Sequence, residues 1–182
     1  MVVAGNIGAP GSLTRRAVGA ATLDIATYEE VEADTQATMQ AALVVALSAI
    51  ARAVGASDDG SSGIIGALIG ALVGWALWAA LTYFIGAKIF HGTANWGELA
   101  RTLGFAQAPG FLYLLGVLPV LGGLFEWLIG IWILVAGVIA IRQALDITTG
   151  KAIIVALIGW VVMVIPMLVL GTAFWLSFGK GG

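Results

Sequence analysis

The sequence predicts an all-α polytopic membrane protein: a bundle of five transmembrane helices preceded by a short amphipathic N-terminal segment. Of its 182 residues, 60% are hydrophobic and only 10% are charged, and the mean hydropathy is +1.04. A chain of this composition has too little polar surface to cover a water-soluble domain. Five apolar stretches are long enough to enter a bilayer, and the Lys and Arg residues sort to alternate sides of them.

Residues 1–36 form the only sizeable polar part of the chain, and we predict a cytoplasmic segment there with short interfacial helices. The stretch from Leu13 to Leu23 carries its arginines on one side, a pattern compatible with lying on the membrane surface. Thr27 and Glu30 have the Thr-x-x-Glu spacing of a capping box, which predicts a second short helix beginning at Thr27.

Residues 37–182 are predicted to form the membrane domain, because about 20 helical residues cross a hydrocarbon layer of about 30 Å. The predicted spans are residues 37–55, 63–90, 104–120, 124–141 and 152–178.

Two of these spans are unusual in sequence. The first is the least hydrophobic, and its polar residues recur at multiples of four on one face, which should point into the bundle: Gln36, Gln40, Ser48 and Arg52. The third is short and contains Pro109 and Pro119, so a kink or partial re-entry is expected there.

The basic residues predict the orientation of the spans. Lys and Arg accumulate in short cytoplasmic loops, whereas acidic residues matter little. With the N-terminus inside, six of the eight basic residues are cytoplasmic and two, Arg52 and Lys180, are outside. The sequence therefore predicts a cytoplasmic N-terminus and an external C-terminus.

The second span carries glycines at every fourth residue: Gly66, Gly70 and Gly74. This spacing places them on one helical face and lets two helix backbones approach closely, which is how helices associate in lipid. We interpret the three glycines as helix-packing residues. Packing against another span of the same chain is the favoured use, and a dimer seam is the alternative.

Arg52 and Glu126 are charged residues at the predicted outer ends of the first and fourth spans. A charge at the centre of a membrane helix costs roughly 2.5 to 3.5 kcal/mol on insertion scales, so each needs a partner or a route to water. One hypothesis is an ion pair between them. The competing interpretation, slightly favoured here, is that each side chain reaches the headgroups independently.

The remaining inventory argues against catalysis. There is no cysteine, and the only histidine, His91, has no carboxylate or second histidine at ligand spacing. We therefore predict no catalytic residue, no cofactor and no metal site, and we expect a protein that is not an enzyme. The scattered basic residues form no stripe for phosphates, so nucleic acid is not an expected partner.

Several segments resemble the bacterial branch of the Yip (Ypt-interacting, YIPF-like) membrane proteins. Their order and spacing carry the resemblance. The segments are 15–24, 26–38, 103–109, 131–134 and 141–152, and the family motif falls on Gly104, Phe105, Gln107 and Pro109.

The resemblance implies a five-span protein with a cytosolic N-terminus, and for a bacterial member we expect it to lie in the plasma (inner) membrane. The eukaryotic relatives bind Rab-type GTPases in vesicle traffic and carry Tyr before the motif's proline, where this chain has Phe105. For a prokaryotic member, the resemblance implies a fold but no established activity.

Our leading hypothesis is a non-enzymatic scaffold, adaptor or membrane-organising protein. Its expected partners are the lipid bilayer and other membrane proteins or further copies of itself. The alternatives are a channel or transporter for a small solute, with the polar face of the first span and the broken third span lining the path, and an accessory subunit of a larger membrane complex.

Overall fold

The fold is all-helical, as predicted, in a computed structural model that describes residues 11–56, 60–117 and 122–178. No strand occurs within those ranges. The α-helices are α1 (Leu13–Ala21), α2 (Ile25–Ala33), α3 (Ala37–Ala56), α4 (Gly60–Tyr83), α5 (Trp96–Phe105), α6 (Gly122–Leu145) and α7 (Thr149–Phe178). A π-helical turn, Phe84–Ile89, extends α4, and a 3-10 helix, Ala108–Val117, follows α5.

Three helical stretches are long and apolar enough to cross a membrane: Ala37–Gly55, Ile64–Ile89 and Gly123–Leu145. A shorter apolar stretch, Thr149–Val162, begins α7. Large hydrophobic side chains remain more than half exposed along one face of α4, at Ile65, Ile69, Val73 and Leu77. Because such a face is unfavourable in water, this exterior fits hydrocarbon.

The third predicted span, residues 104–120, differs from the observed structure. The chain there consists of α5, which begins at Trp96, and the 3-10 helix, while residues 118–121, including Pro119, lie outside the described ranges. Asn95 and Glu98 form a capping box that starts α5 well before the predicted boundary. Pro109 has no amide hydrogen to continue α5.

Helix α3 packs in parallel against α5 and the 3-10 helix. Glycines of α5 and the 3-10 helix meet small residues of α3: Gly104 lies against Ala41, Gly110 against Ser48, and Gly116 against Gly55. A methyl group added to Gly104 would be 2.7 Å from the Ala41 Cβ. We call these three pairs the small-residue seam.

Helices α1 and α2 form an antiparallel hairpin that packs on α5 and α6. Asp24 caps α2 by accepting a hydrogen bond from the Thr27 amide, so the predicted capping box at Thr27 is wrong and the helix starts at Ile25. The Tyr28 hydroxyl donates to the Ala20 carbonyl across the hairpin, 3.0 Å away, and the ring is fully buried.

Two buried arginines hold the hairpin in place. Arg16 pairs with Glu30 at 2.8 Å and with Asp34 at 2.7 Å. Arg101 of α5 donates from its Nε to the carbonyls of Val31 and Glu32, at 2.9 and 3.1 Å. These carbonyls belong to the last turn of α2, where intrahelical partners are missing, so the guanidinium satisfies them.

Candidate ligand groove of the membrane domain

A groove of about 650 Å³ lies between α3, α4 and α6 and reaches α7. Its walls are mostly apolar. The large apolar side chains that line it include Val45, Trp75, Trp78, Leu103, Ile133 and Ile141. This volume falls within the range of about 300 to 1,000 Å³ that is typical of small-molecule sites.

Glycines on two facing helices make room for the groove. Gly70 and Gly74 line it from α4, and Gly130 and Gly137 line it from α6. A methyl group built on any of these four glycines would meet no atom of another helix among the described residues within 4 Å. Side chains at these positions would fill the groove, and their absence keeps it open.

The two tryptophans of α4 are fixed as walls of the groove. The Trp75 indole donates to the Ala100 carbonyl over 2.8 Å, which satisfies its polar edge. The Trp78 ring packs on α7, where a methyl group added to Gly159 would lie 3.4 Å from it. Both rings are thus held from outside the groove while their other surfaces line it.

A few polar side chains also line the groove. Ser48 comes from the buried part of α3, and Gln107 from the turn between α5 and the 3-10 helix. Arg52 and Tyr113 line one end. The residues of the polar face predicted for the first span therefore do not all line the groove. Ser48 and Arg52 reach the groove, whereas Gln40 donates to the Gly11 carbonyl and accepts from Arg16.

The charged end of the groove contains the pair considered from sequence. Arg52 Nη2 lies 2.8 Å from Glu126 Oε1, and the side chains are 62% and 56% exposed. The guanidinium also sits over the Tyr113 ring, with its Cζ 5.3 Å from the centroid. A second cavity of about 220 Å³ adjoins this point and is lined by Arg52, Tyr113 and Glu126.

Within the described residues, the glycine line of α4 contacts no other helix. Methyl groups placed on Gly66, Gly70 and Gly74 would meet no other described helix within 4 Å. The intramolecular packing favoured from the sequence is therefore not seen in this part of the chain. The role of these glycines as helix-packing residues stays a prediction, with contact with a second molecule as the alternative.

The residues of the family motif lie where α5 meets α3. Gly104 forms part of the small-residue seam, and Phe105 and Pro109 are fully buried. Gln107 is half-buried and lines the groove. The motif thus positions the 3-10 helix and contributes one amide to the groove wall.

The α2 side of the hairpin carries two carboxyl groups whose pKa values are shifted in opposite directions. Burial raises the pKa of Glu32 to about 7, the carboxylates of Asp146 and Glu98 add to the shift, and Arg101 opposes it. Burial also opposes the charge on Glu30, but hydrogen bonds from Arg16 and Arg15 outweigh it and lower the pKa of Glu30. Within the described ranges, no three His, Cys, Asp or Glu side chains cluster as metal ligands.

Sequence reasoning missed several groove residues. Trp75, Trp78 and Tyr113 gave no signal beyond their hydrophobicity. Gly130 and Gly137 are seven residues apart and therefore share a helical face, which is the one sequence pattern that could have placed them opposite the glycines of α4.

Comparison with known proteins identifies the family. A family model described as the Yip1 domain matches residues 26–170, which is most of the chain. No curated protein and no solved structure matches the chain. The match covers α2 to α7, including the seam and the groove. This chain is a member of the Yip1 domain family of membrane proteins.

Proposed function

We propose that this chain is a non-enzymatic, five-pass membrane-organising protein that holds a bilayer lipid in its lateral groove. The groove carries the proposal, because it is apolar, sits between helices whose outer faces fit hydrocarbon, and opens beside the exposed face of α4. An apolar cavity of this kind offers water too few polar partners, so acyl chains are its natural filling in a bilayer.

The five-pass arrangement is supported by the length of the third segment. Helix α5 and the 3-10 helix have ten residues each. At about 1.5 and 2.0 Å per residue they extend roughly 15 and 20 Å, which together exceed the hydrocarbon thickness of about 30 Å. The small-residue seam joins α3 in parallel to α5 and the 3-10 helix, which supports the proposal that the first and third segments cross the membrane in the same direction.

The orientation follows from the distribution of basic residues, six on the side of the N-terminus and two on the other. The N-terminal hairpin then lies on the cytoplasmic side of a bacterial plasma membrane, and the Arg52–Glu126 pair lies at the outer side. The C-terminus is external.

The groove chemistry supports a binding role. Its polar side chains are Ser48, Arg52, Gln107 and Tyr113 among the described residues. None of them is a general base at neutral pH, and a serine needs one to act as a nucleophile. A flux assay in proteoliposomes tests the transporter alternative, since a membrane-organising protein without a transport path should give no more solute flux than empty liposomes.

The glycine line of α4 favours an adaptor role as the second candidate. Only 6% of the apolar window of α4 is buried, and Gly66, Gly70 and Gly74 face open space. A helix of another membrane protein or of a second copy of this chain could approach there closely.

Two glycine substitutions separate the lipid-holding role from the adaptor role. Gly66 belongs to the glycine line but not to the groove lining, whereas Gly137 lines the groove from α6. The experiment is native mass spectrometry of the protein released from nanodiscs, which counts bound lipids and subunits together. Gly137→Leu should remove bound lipid, whereas Gly66→Leu should keep it.

Gly150→Leu is the matched control, since Gly150 is an exposed helical glycine with open space around it and lies outside the groove. Two results together would refute the lipid role and establish the adaptor role. Gly66→Leu would lose its subunits or partners, and Gly137→Leu would keep its bound lipid.

A further inference from the structure

The charged end of the groove has the form of a headgroup site. Arg52 and Glu126 lie side by side, and each is more than half exposed, so both can contact a ligand without separating from one another. The cavity of about 220 Å³ at this end shares Arg52 and Tyr113 with the apolar groove. A charged chamber thus continues into an apolar one.

The pairing of opposite charges selects the ligand charge. A simple anion would be attracted by Arg52 and repelled by Glu126, and a simple cation would meet the reverse, so neither gains much. A zwitterion places an anionic group on the guanidinium and a cationic group on the carboxylate. A guanidinium is well suited to phosphate because it donates two parallel hydrogen bonds.

The aromatic ring beside the pair selects the amine. A quaternary ammonium is usually bound over an open aromatic face. Here the guanidinium of Arg52 already occupies a face of Tyr113, 5.3 Å from the ring centroid. A primary ammonium needs no such face, because it donates hydrogen bonds directly to a carboxylate such as Glu126.

The apolar part of the groove is long enough to hold an acyl chain. On α4 the lining extends from Ala67 to Trp78, and on α6 from Gly130 to Ile141. Each stretch rises about 16 Å at 1.5 Å per residue. Half of a hydrocarbon core of about 30 Å is about 15 Å. The lining is therefore at least as long as the acyl chain of one leaflet, and on α6 it continues to Ile141 at the cytoplasmic end of the span.

We propose that the groove binds a zwitterionic phospholipid with a primary-amine headgroup, its phosphate on Arg52, its ammonium on Glu126 and one acyl chain between α3, α4 and α6. The inference rests on the proposed lipid-holding function and adds the identity of the headgroup.

The test uses the full chain in nanodiscs made of equal amounts of three phospholipids with identical acyl chains. Their headgroups are ethanolamine, choline and glycerol. Native mass spectrometry measures which lipid remains bound after release. We expect the ethanolamine lipid to be enriched about five-fold, the value of one charge-assisted hydrogen bond at a half-exposed site.

Arg52→Gln and Glu126→Gln should each abolish the enrichment, and Arg52→Lys, which keeps the charge, should retain part of it. Lys151→Gln is the control, because Lys151 is an exposed cation on α7 outside the groove lining. Size-exclusion profiles of all variants establish that they fold.

The outcomes separate the two proposals. Equal retention of all three lipids by a wild-type protein that does retain lipid would overturn the headgroup assignment and leave the lipid-holding function standing. If the wild-type protein retains no lipid, or retains a partner helix instead of a lipid, both the headgroup assignment and the lipid-holding function are overturned. Enrichment that survives Glu126→Gln would also overturn the assignment.

Discussion

Substitution of Gly104 by alanine tests the small-residue seam on which the position of the 3-10 helix depends. The added methyl group would lie 2.7 Å from the Ala41 Cβ and 3.2 Å from the Ala41 Cα and backbone carbon. None of these atoms belongs to a flexible side chain, so the helices themselves must separate. Overpacking of this kind typically costs about 1 to 3 kcal/mol.

The helix propensity of alanine works in the opposite direction. Alanine is more favourable than glycine in a helix by about 0.8 to 1 kcal/mol. The net expectation for Gly104→Ala is a loss of up to about 2 kcal/mol. For a chain of this size that lowers the midpoint of thermal unfolding by up to roughly 8 °C.

Gly130→Ala is the matched control for this experiment. Gly130 is also a helical glycine, but nothing from another described helix lies within 4 Å of an added methyl group. The control should be unchanged or slightly stabilised. Thermal unfolding in detergent, followed by tryptophan fluorescence, measures both variants.

A second substitution on the partner helix distinguishes the seam from other causes. Ala41→Gly removes the opposing methyl group, so the double variant should recover part of the loss, and the coupling energy should be about 1 kcal/mol. A Gly104→Ala protein as stable as Gly130→Ala would refute the seam.

Three further predictions concern the charged residues. Arg101→Gln should leave the last carbonyls of α2 without their donor, lose about 1 to 3 kcal/mol, and accelerate amide hydrogen exchange in α2 while exchange in α4 is unchanged. Glu32 binds its proton more tightly in the folded protein, with a pKa of about 7 against an ordinary 4.5, so unfolding midpoints should fall as the pH rises between those values. Because Glu32 is partly exposed, the effect should be about 1 kcal/mol, and a Glu32→Gln protein that keeps the same pH dependence would contradict it. Arg52→Glu should weaken the folded protein by no more than about 1 kcal/mol, and adding Glu126→Arg should restore its unfolding midpoint if the two side chains are in contact.

The sequence was sufficient for those parts of the fold that depend on local hydrophobicity. Length and hydropathy alone placed the apolar stretches that form α3, α4 and α6, because a membrane helix satisfies its own backbone and needs no distant partner. The third segment was placed too far along the chain, since its first half, α5, is amphipathic and carries Glu98 and Arg101.

The 3-10 helix had a sequence signal that hydropathy does not detect. Gly110 and Gly116 are six residues apart, which is two turns at three residues per turn. Their partners on α3, at positions 48 and 55, are seven apart, which is close to two turns of an α-helix. Six residues of 3-10 helix and seven of α-helix rise by similar amounts, about 12 and 10.5 Å, so the two rows stay in register.

The hairpin could not be predicted from local patterns, because its determining contacts join distant residues. Glu30 had the spacing of a capping residue for Thr27, yet it binds Arg15 and Arg16 from the preceding helix. Arg101 had a carboxylate three residues before it, at Glu98, yet it donates to the backbone of α2. In both cases a tertiary partner took the place of a local one.

The shape of the groove argues that a second molecule occupies it in the bilayer. The groove opens at the protein surface beside the exposed face of α4, so its mostly apolar lining lies within reach of the surrounding hydrocarbon. Four large apolar side chains at Gly70, Gly74, Gly130 and Gly137 would remove the cavity, since nothing from another described helix stands within 4 Å of an added methyl group. With glycine at all four positions the groove stays open, which is what the proposed lipid ligand requires.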